Sequence, residues 1–175
     1  LDVVDSQEMY NAAHAIWDEI NESGEGQTLG IFTAAVADFR PDYYGPEKFK
    51  KKFQENITEI SKPSPVLIDS DKSIRIRFLH NPDILSSIGA KKKDRQFLIG
   101  FAAETDNLMQ NAREKLERKN VDMLVANLVN VPGNGFESSS NAVTVFGKDK
   151  IESWESMAKP DLEWRILDWY CQHCA

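Results

Sequence analysis

The chain has 175 residues and a formal net charge of −7, with 41% hydrophobic and 28% charged residues. This composition is that of an ordinary globular domain, and an acidic chain has no general attraction for nucleic acid. No apolar run reaches the roughly 20 residues that cross a bilayer, and no signal-peptide pattern is present. We therefore expect one domain over residues 1–175, in the cytoplasm, with neither a nucleic acid nor a membrane as partner.

The first elements in chain order alternate between strand and helix patterns. Residues 1–4 are typical of the end of a strand. Asp5 then stands three residues before Glu8, which is the spacing of a capping box, and the helix that follows ends at Gly24. The nearly continuous apolar run 29–37 predicts a strand that is buried on both faces.

The next segment is polar and predicts a projecting hairpin. A loop at 42–52 carries four lysines, and apolar residues at helical spacing follow at 53–60. Residues 66–68 and 74–79 predict two strands that are joined by a turn at 70–71. In the second of these strands isoleucine and phenylalanine alternate with arginine, so we expect only one face to be exposed to water.

The second half of the chain has a regular strand and helix alternation. Asn81 and Pro82 predict a helix start, with asparagine as the cap and proline as the first helical residue. The segments that follow are strands at 97–103, 121–126, 142–146 and near Ile151, and helices at 106–119 and 159–173. Strands that alternate with helices predict an α/β fold, in which a mostly parallel sheet carries helices on both faces.

Three of the predicted strand ends share a pattern that is typical of a ligand site. Each has small residues followed by a polar one, as in Ala37-Asp38, Ala103-Glu104 and Ala126-Asn127. Ligands of open α/β sheets bind at the carboxyl ends of the strands. Lys115 and Lys119, four apart on one helix face, and the lysines of 42–52 suit a phosphate group. Single lysines are more often plain solvated surface, so spacing alone leaves both interpretations open.

The terminal Cys171-Gln-His-Cys174 motif does not predict a metal site. With His173 it offers at most three neighbouring ligands, and a structural zinc ion needs four. We expect two reduced thiols on a terminal helix. The sequence also has no Walker A motif, dinucleotide fingerprint or zinc signature, and no metal-ligating residue is predicted.

Four ordered segments carry a resemblance to a known family. They are 34–41 (AAVADFRP), 48–51 (KFKK), 81–84 (NPDI) and 100–105 (GFAAET) with the helix at 111–119. Ala126-Asn127 and Gly135-Phe136 extend the similarity, which covers about residues 5–146. In order and spacing the segments resemble the bacterial, CTP-dependent phosphopantothenate–cysteine ligases, also called phosphopantothenoylcysteine synthetases.

The resemblance implies a Rossmann-like fold with a β-hairpin flap, CTP as co-substrate and Mg²⁺ as cofactor. It assigns the nucleotide site to Phe32, Thr33, Ala34, Asp38, Lys48, Pro82, Asp83, Ile84, Leu85, Phe101, Lys115 and Lys119. Asp38 and Lys48 are the implied catalytic residues, and Lys48 closes over the nucleotide from the flap. A homodimer is implied because the flap hairpins of the family reach across a two-fold interface.

The implied reaction joins 4′-phosphopantothenate to cysteine in coenzyme A biosynthesis. The carboxylate of the first substrate attacks the α-phosphate of CTP, which gives an acyl-cytidylate and pyrophosphate. The amine of cysteine then displaces the nucleotide and forms an amide. No protein nucleophile takes part, so catalysis is positioning and electrostatic stabilisation.

Departures from the family pattern keep alternatives open. Family domains begin with a glycine-rich strand–turn segment and a Ser-Asn-x-Ser-Ser-Gly loop, and neither occurs in these 175 residues. Leu128 replaces the usual aspartate, and 53–65 has no counterpart. The resemblance therefore implies an N-terminally incomplete domain, whose alternative function is that of a catalytically incomplete nucleotide-binding module. A Rossmann-type oxidoreductase is disfavoured by the missing fingerprint.

Overall fold

The computed structural model describes residues 1–24, 26–42, 66–68, 74–129 and 138–174. The described strands are β1 (Thr28–Phe32), β2 (Phe39–Pro41), β3 (Val66–Ile68), β4 (Ile74–Ile76), β5 (Phe78–His80), β6 (Gln96–Glu104), β7 (Met123–Leu128), β8 (Ser140–Gly147) and β9 (Ile151–Ala158). The described helices are α1 (Ser6–Ser23), α2 (Ile84–Lys91), α3 (Leu108–Arg118) and α4 (Lys159–Cys174). The lysines of 48–52, the segment 53–65, the turn at 70–71 and Gly135-Phe136 lie outside the described residues.

The main sheet has the strand order β1-β6-β7-β8-β9. β1, β6 and β7 are parallel, with Phe32 opposite Gly100 and Ala102 opposite Ala126. β8 and β9 are antiparallel and extend the sheet beyond β7. The predicted α/β fold is confirmed, and the parallel half of the mixed sheet is the part that crossover helices α2 and α3 connect.

The sheet has a hydrophobic core on each face, as predicted. On one face Ile88 of α2 and Leu116 of α3 pack on Leu98 and Leu124, together with Trp17 of α1. On the other face α4 covers the sheet through its apolar residues Leu162, Ile166 and Trp169. Burial of each such side chain stabilises the fold by about 1.5–3 kcal/mol. None of the described helices combines the length and the apolar character that a membrane span requires.

The start of α1 confirms most of the predicted capping box. Asp5 Oδ1 accepts the backbone N–H groups of Gln7 and Glu8, each at 2.8 Å. Glu8 reaches back to the N–H of Val4 at 2.8 Å and not to that of Asp5. The expected strand at 1–4 was wrong, because this segment joins no sheet among the described residues and leads directly into the cap. Gly24 ends the helix with a left-handed backbone (φ 73°).

α1 and α2 meet through a partly buried polar contact. His14 Nε2 lies 2.8 Å from Ser87 Oγ. Burial, and then the charge of Lys91, lower the pKa of His14 below its ordinary value. The ring is therefore mostly neutral at physiological pH, and the contact joins two neutral groups.

The strand predicted at 29–37 is shorter and more exposed than expected. β1 ends at Phe32, the last residue of its ladder with β6, and 33–37 is irregular, with the Val36 N–H bonded to Ala34 O at 3.0 Å. Ile31 is 44% exposed. The prediction of burial on both faces was wrong, because among the described residues β1 pairs only with β6 and forms the edge of the sheet.

The predicted hairpin is confirmed in part. β3 and β4 pair antiparallel, with Leu67 opposite Arg75. The strand predicted at 74–79 is interrupted at Arg77, and β5 instead pairs with β2, with Phe39 opposite His80. The apolar face of 74–79 was predicted to be shielded from water. It is open in this chain, since Ile76 is 46% and Phe78 54% exposed.

Candidate functional site

A cleft of about 610 Å³ lies where β1, β6 and β7 end, beside the start of α2. This is the edge at which ligands of open α/β sheets bind. The small residues Ala37, Ala102 and Ala103 line it, and so does Asn127. The strand ends that the sequence singled out therefore do meet at one place, although the first of them is a loop that follows β1.

The cleft brings together residues that are far apart in the sequence. Eleven of the twelve residues that the resemblance assigned to the nucleotide line it: Phe32, Thr33, Ala34, Asp38, Pro82, Asp83, Ile84, Leu85, Phe101, Lys115 and Lys119. The twelfth, Lys48, lies outside the described residues. Their common location is an observation, while their individual roles in binding and catalysis stay predictions.

The start of α2 differs from the prediction. The cap is Asp83, whose Oδ1 accepts the N–H of Ser86 at 3.0 Å, and Ile84 is the first helical residue. Asn81 does not cap the helix, because its Oδ1, the atom that would accept a helix N–H, accepts from Ser6 Oγ at 2.6 Å and from Arg40 Nη1 at 3.0 Å. A carboxylate at this position already compensates the positive end of the helix dipole. The helix start is thus less suited to an anion than the sequence implied.

Two of the lysines that line the described cleft, Lys115 and Lys119, each face a carboxylate. Lys115 Nζ lies 2.6 Å from Glu104 Oε1, and Lys119 Nζ lies 3.1 Å from Asp83 Oδ1. Glu104 also accepts from Asn111 Nδ2 at 3.1 Å. The Glu104 side chain is 9% exposed and is not part of the cleft lining, so Glu104 meets the cleft through Lys115. These pairs hold both ammonium groups at the cleft, where a phosphate can share them.

Several lining residues were missed by the sequence. Asn141 of β8 and Lys159 at the start of α4 reach the cleft from the antiparallel side of the sheet. Ser140 lies opposite Ala158, and the N–H of Lys159 bonds Ser139 O at 3.1 Å. Strand pairing thus carries Lys159 to the cleft, and no local motif signals this.

The C-terminal cysteine motif is described for the side chains of Cys171 and His173. Cys171 is exposed and free, and His173 Nδ1 lies 2.7 Å from Trp169 O in the preceding turn. Among the described residues no three His, Cys, Asp or Glu side chains are grouped to hold a metal ion.

An open, mostly parallel α/β sheet with helices on both faces and a lysine-bearing cleft at its carboxyl edge is a Rossmann-like architecture, whose members bind ligands at this edge. The sequence profile of one family, the DNA/pantothenate metabolism flavoprotein C-terminal domain, matches residues 1–173. The chain belongs to this family.

Relatives and solved structures agree with this assignment and confirm the resemblance drawn from the motifs. The chain is 36% identical over 167 residues to the coenzyme A biosynthesis bifunctional protein CoaBC of Vibrio cholerae, covering 95% of this chain and 36% of that protein. It is 37% identical over 130 residues to that of Escherichia coli, covering 74% and 28%. A crystal structure of a C-terminal domain of CoaBC superposes with a TM-score of 0.63 at 28% identity, covering 97% of this chain and 62% of that one. The chain thus spans about a third of the length of these curated relatives.

Proposed function

We propose that this chain is the nucleotide-binding part of a phosphopantothenate–cysteine ligase in coenzyme A biosynthesis, and that its cleft binds CTP. One observation carries the proposal: residues spread from Phe32 to Lys119, which the resemblance assigned to the nucleotide, converge on one cleft. Family membership and the names of the relatives, coenzyme A biosynthesis proteins, support it independently.

The lining of the cleft fits the parts of a nucleoside triphosphate. Phe101 is 38% exposed, which leaves a ring face for a base or sugar to pack on. Lys115 and Lys119 supply the positive charge for the phosphates, at about 1.5–3 kcal/mol for each charge-assisted hydrogen bond. Glu104 and Asp83 keep these lysines oriented before the ligand arrives, which lowers the entropy lost on binding.

Mg²⁺ fits this site as an ion that accompanies the triphosphate. Among the described residues that line the cleft, the carboxylates are those of Asp38 and Asp83. They do not belong to any cluster of three side chains that could hold a metal ion by themselves. Mg²⁺ in phosphate-transfer sites is held by one or two carboxylates, phosphate oxygens and water. When bound, the ion would neutralise phosphate charge, and Asp38 would hold it, because the other carboxylate of the described cleft lining, Asp83, is already paired with Lys119.

In the proposed reaction this chain acts by binding and orientation. The lysines hold the phosphates while the carboxylate of 4′-phosphopantothenate attacks the α-phosphate of CTP and pyrophosphate leaves. The amine of cysteine then attacks the acyl carbon, CMP leaves and the amide forms. Activation of a carboxylate by a nucleotide needs a fixed in-line geometry, which a rigid cleft between packed elements supplies. Asp38, on the loop after β1, and Lys48 of the flap are the proposed catalytic residues.

Replacement of Lys115 or Lys119 by alanine tests this proposal. In the complete protein we expect titration calorimetry to show tight CTP binding and no binding of NAD. Each substitution removes one charged donor, and it also leaves Glu104 or Asp83 without its counter-charge beside the phosphates. CTP affinity is expected to fall about 10- to 100-fold, which corresponds to about 1.5–3 kcal/mol.

The matched control is Lys91→Ala, since Lys91 pairs with Asp18 outside the cleft. This variant is expected to bind CTP as the parent does. Absence of CTP binding by the parent protein would contradict the nucleotide site. Binding without formation of the acyl-cytidylate from 4′-phosphopantothenate would favour the catalytically incomplete module.

We also propose that the protein is a homodimer that packs through β2 and β5. Phe39 of β2 and Phe78 of β5 lie on the same face of this strand pair and are 51% and 54% exposed. Such contiguous apolar surface is uncommon on a monomer. Sedimentation of the complete protein is expected to give twice the chain mass, and Phe78→Ser to shift it towards the monomer. A parent protein that sediments as a monomer at all concentrations would rule this out.

A further inference from the structure

Asn81, in the connection between β5 and α2, joins three separate segments of the chain. Its Nδ2 donates to Ala37 O at 2.7 Å, and its backbone N–H donates to Asp38 O at 2.8 Å. Its Oδ1 accepts from Ser6 Oγ at 2.6 Å and from Arg40 Nη1 at 3.0 Å. One short side chain therefore links the first residue of α1, the loop after β1 and the approach to α2.

The loop that Asn81 holds has little other support. No strand pairing of the described residues includes 33–37, which lie between the end of β1 and the start of β2. Arg40 reinforces the same junction, because its Nη1 also donates to His80 O at 2.9 Å. The position of Asp38 relative to Asp83, two residues after Asn81, thus depends on this set of hydrogen bonds.

We propose that Asn81 is a positioning residue of the cleft. It fixes the loop that carries Asp38 against the start of α2, so that Asp38 and Asp83 are held at a constant distance from one bound ligand. The ligand in this inference, CTP, rests on the proposed function. Asn81 itself lines the cleft, and in this proposal it acts on the ligand through Asp38. The hydrogen bonds themselves stand whatever the ligand is.

Two substitutions separate this role from general support of the fold. Asn81→Ala removes all side-chain bonds without adding charge. Asn81→Asp retains an oxygen that accepts from Ser6 and Arg40. It replaces the Nδ2 group, which donates to Ala37 O, by a second oxygen that cannot donate, so only the bond to Ala37 is lost. Asn21 is the matched control. Its Oδ1 accepts from Gln96 Nε2 at 2.9 Å, also partly buried, and it does not line the cleft.

The first measurement is amide hydrogen exchange of the ligand-free complete protein. Both Asn81 variants are expected to raise the exchange rate of the Val36 amide, which is bonded to Ala34 O within 34–38, at least tenfold, because local opening of the segment no longer has to break the bond to Ala37 O. Asn21→Ala is expected to leave this segment unchanged. Equal exchange at 34–38 in the parent, Asn81 and Asn21 variants would overturn the inference.

The second measurement is a double-mutant cycle of CTP affinity between Asn81→Ala and Asp38→Ala. Alone, Asn81→Ala is expected to weaken CTP binding about tenfold. In the Asp38→Ala background it is expected to have no further effect, because the group that it positions is gone. An undiminished tenfold loss in that background would overturn action through Asp38. If the parent protein does not bind CTP, the proposed function fails, while hydrogen exchange still decides the role of Asn81.

Discussion

Replacement of Asp122 by asparagine is expected to lower the free energy of unfolding by about 3–5 kcal/mol. Asp122 precedes β7, and its carboxylate accepts from Lys92 Nζ at 2.6 Å and from the N–H of Leu98 at 2.9 Å. The side chains of Asp122 and Lys92 are only 10% and 8% exposed. Loss of the negative charge leaves the Lys92 ammonium buried with no counter-charge to offset its desolvation.

The neighbouring lysine supplies the control for this prediction. Lys91 pairs with Asp18 at 3.0 Å, but both side chains are about half exposed. Water screens such a pair, so Asp18→Asn is expected to cost less than about 1 kcal/mol. Urea unfolding of the parent and both variants measures the difference. Equal losses for the two variants would show that burial of the Asp122 pair does not matter.

The sequence predicted best those elements whose pattern is local. α4 was expected at 159–173 and occupies Lys159–Cys174, because its apolar spacing matches one face packed on the sheet. The pairing of β2 with β5 was not predicted. It joins residues about 40 positions apart, and three-residue strands carry too little periodicity to be recognised. Short edge strands are decided by tertiary contacts and not by their own composition.

The candidate site likewise has features that local motifs predict and features that only tertiary contacts decide. The motifs predicted which residues share a cleft, since each segment lies at the end of a strand or helix whose place the α/β alternation fixes. They did not predict that Glu104 turns inward to Lys115, or that Asp83 rather than Asn81 caps α2. These outcomes depend on competition between partners in three dimensions, which spacing does not encode. Lys159 was missed for a further reason, because only the β8–β9 pairing brings it to the cleft.

Gly89→Ala is expected to destabilise the protein by about 1–3 kcal/mol or more and to weaken binding in the cleft as well. A Cβ on Gly89, within α2, would lie 2.0 Å from the carbonyl oxygen of Lys119 and 3.1 Å from its carbonyl carbon. Real Cβ atoms do not approach this closely, and the obstacle is backbone, which cannot rotate away. α2 must therefore move from the end of α3 and weaken the bond from Asn120 Nδ2 to Gly89 O, now 2.8 Å.

The control is Ala90→Ser, at the exposed residue next to Gly89, because it alters the same helix turn without a steric conflict. It is expected to change the free energy of unfolding by less than about 0.5 kcal/mol. Thermal unfolding and CTP calorimetry on both variants measure the two effects together. A Gly89→Ala protein as stable as Ala90→Ser would contradict the close packing of α2 on α3.

Lys119 provides both the carbonyl that requires glycine at 89 and the ammonium group that pairs with Asp83. The contact that sets the distance between the two helices therefore also sets the position of a cation in the proposed phosphate site.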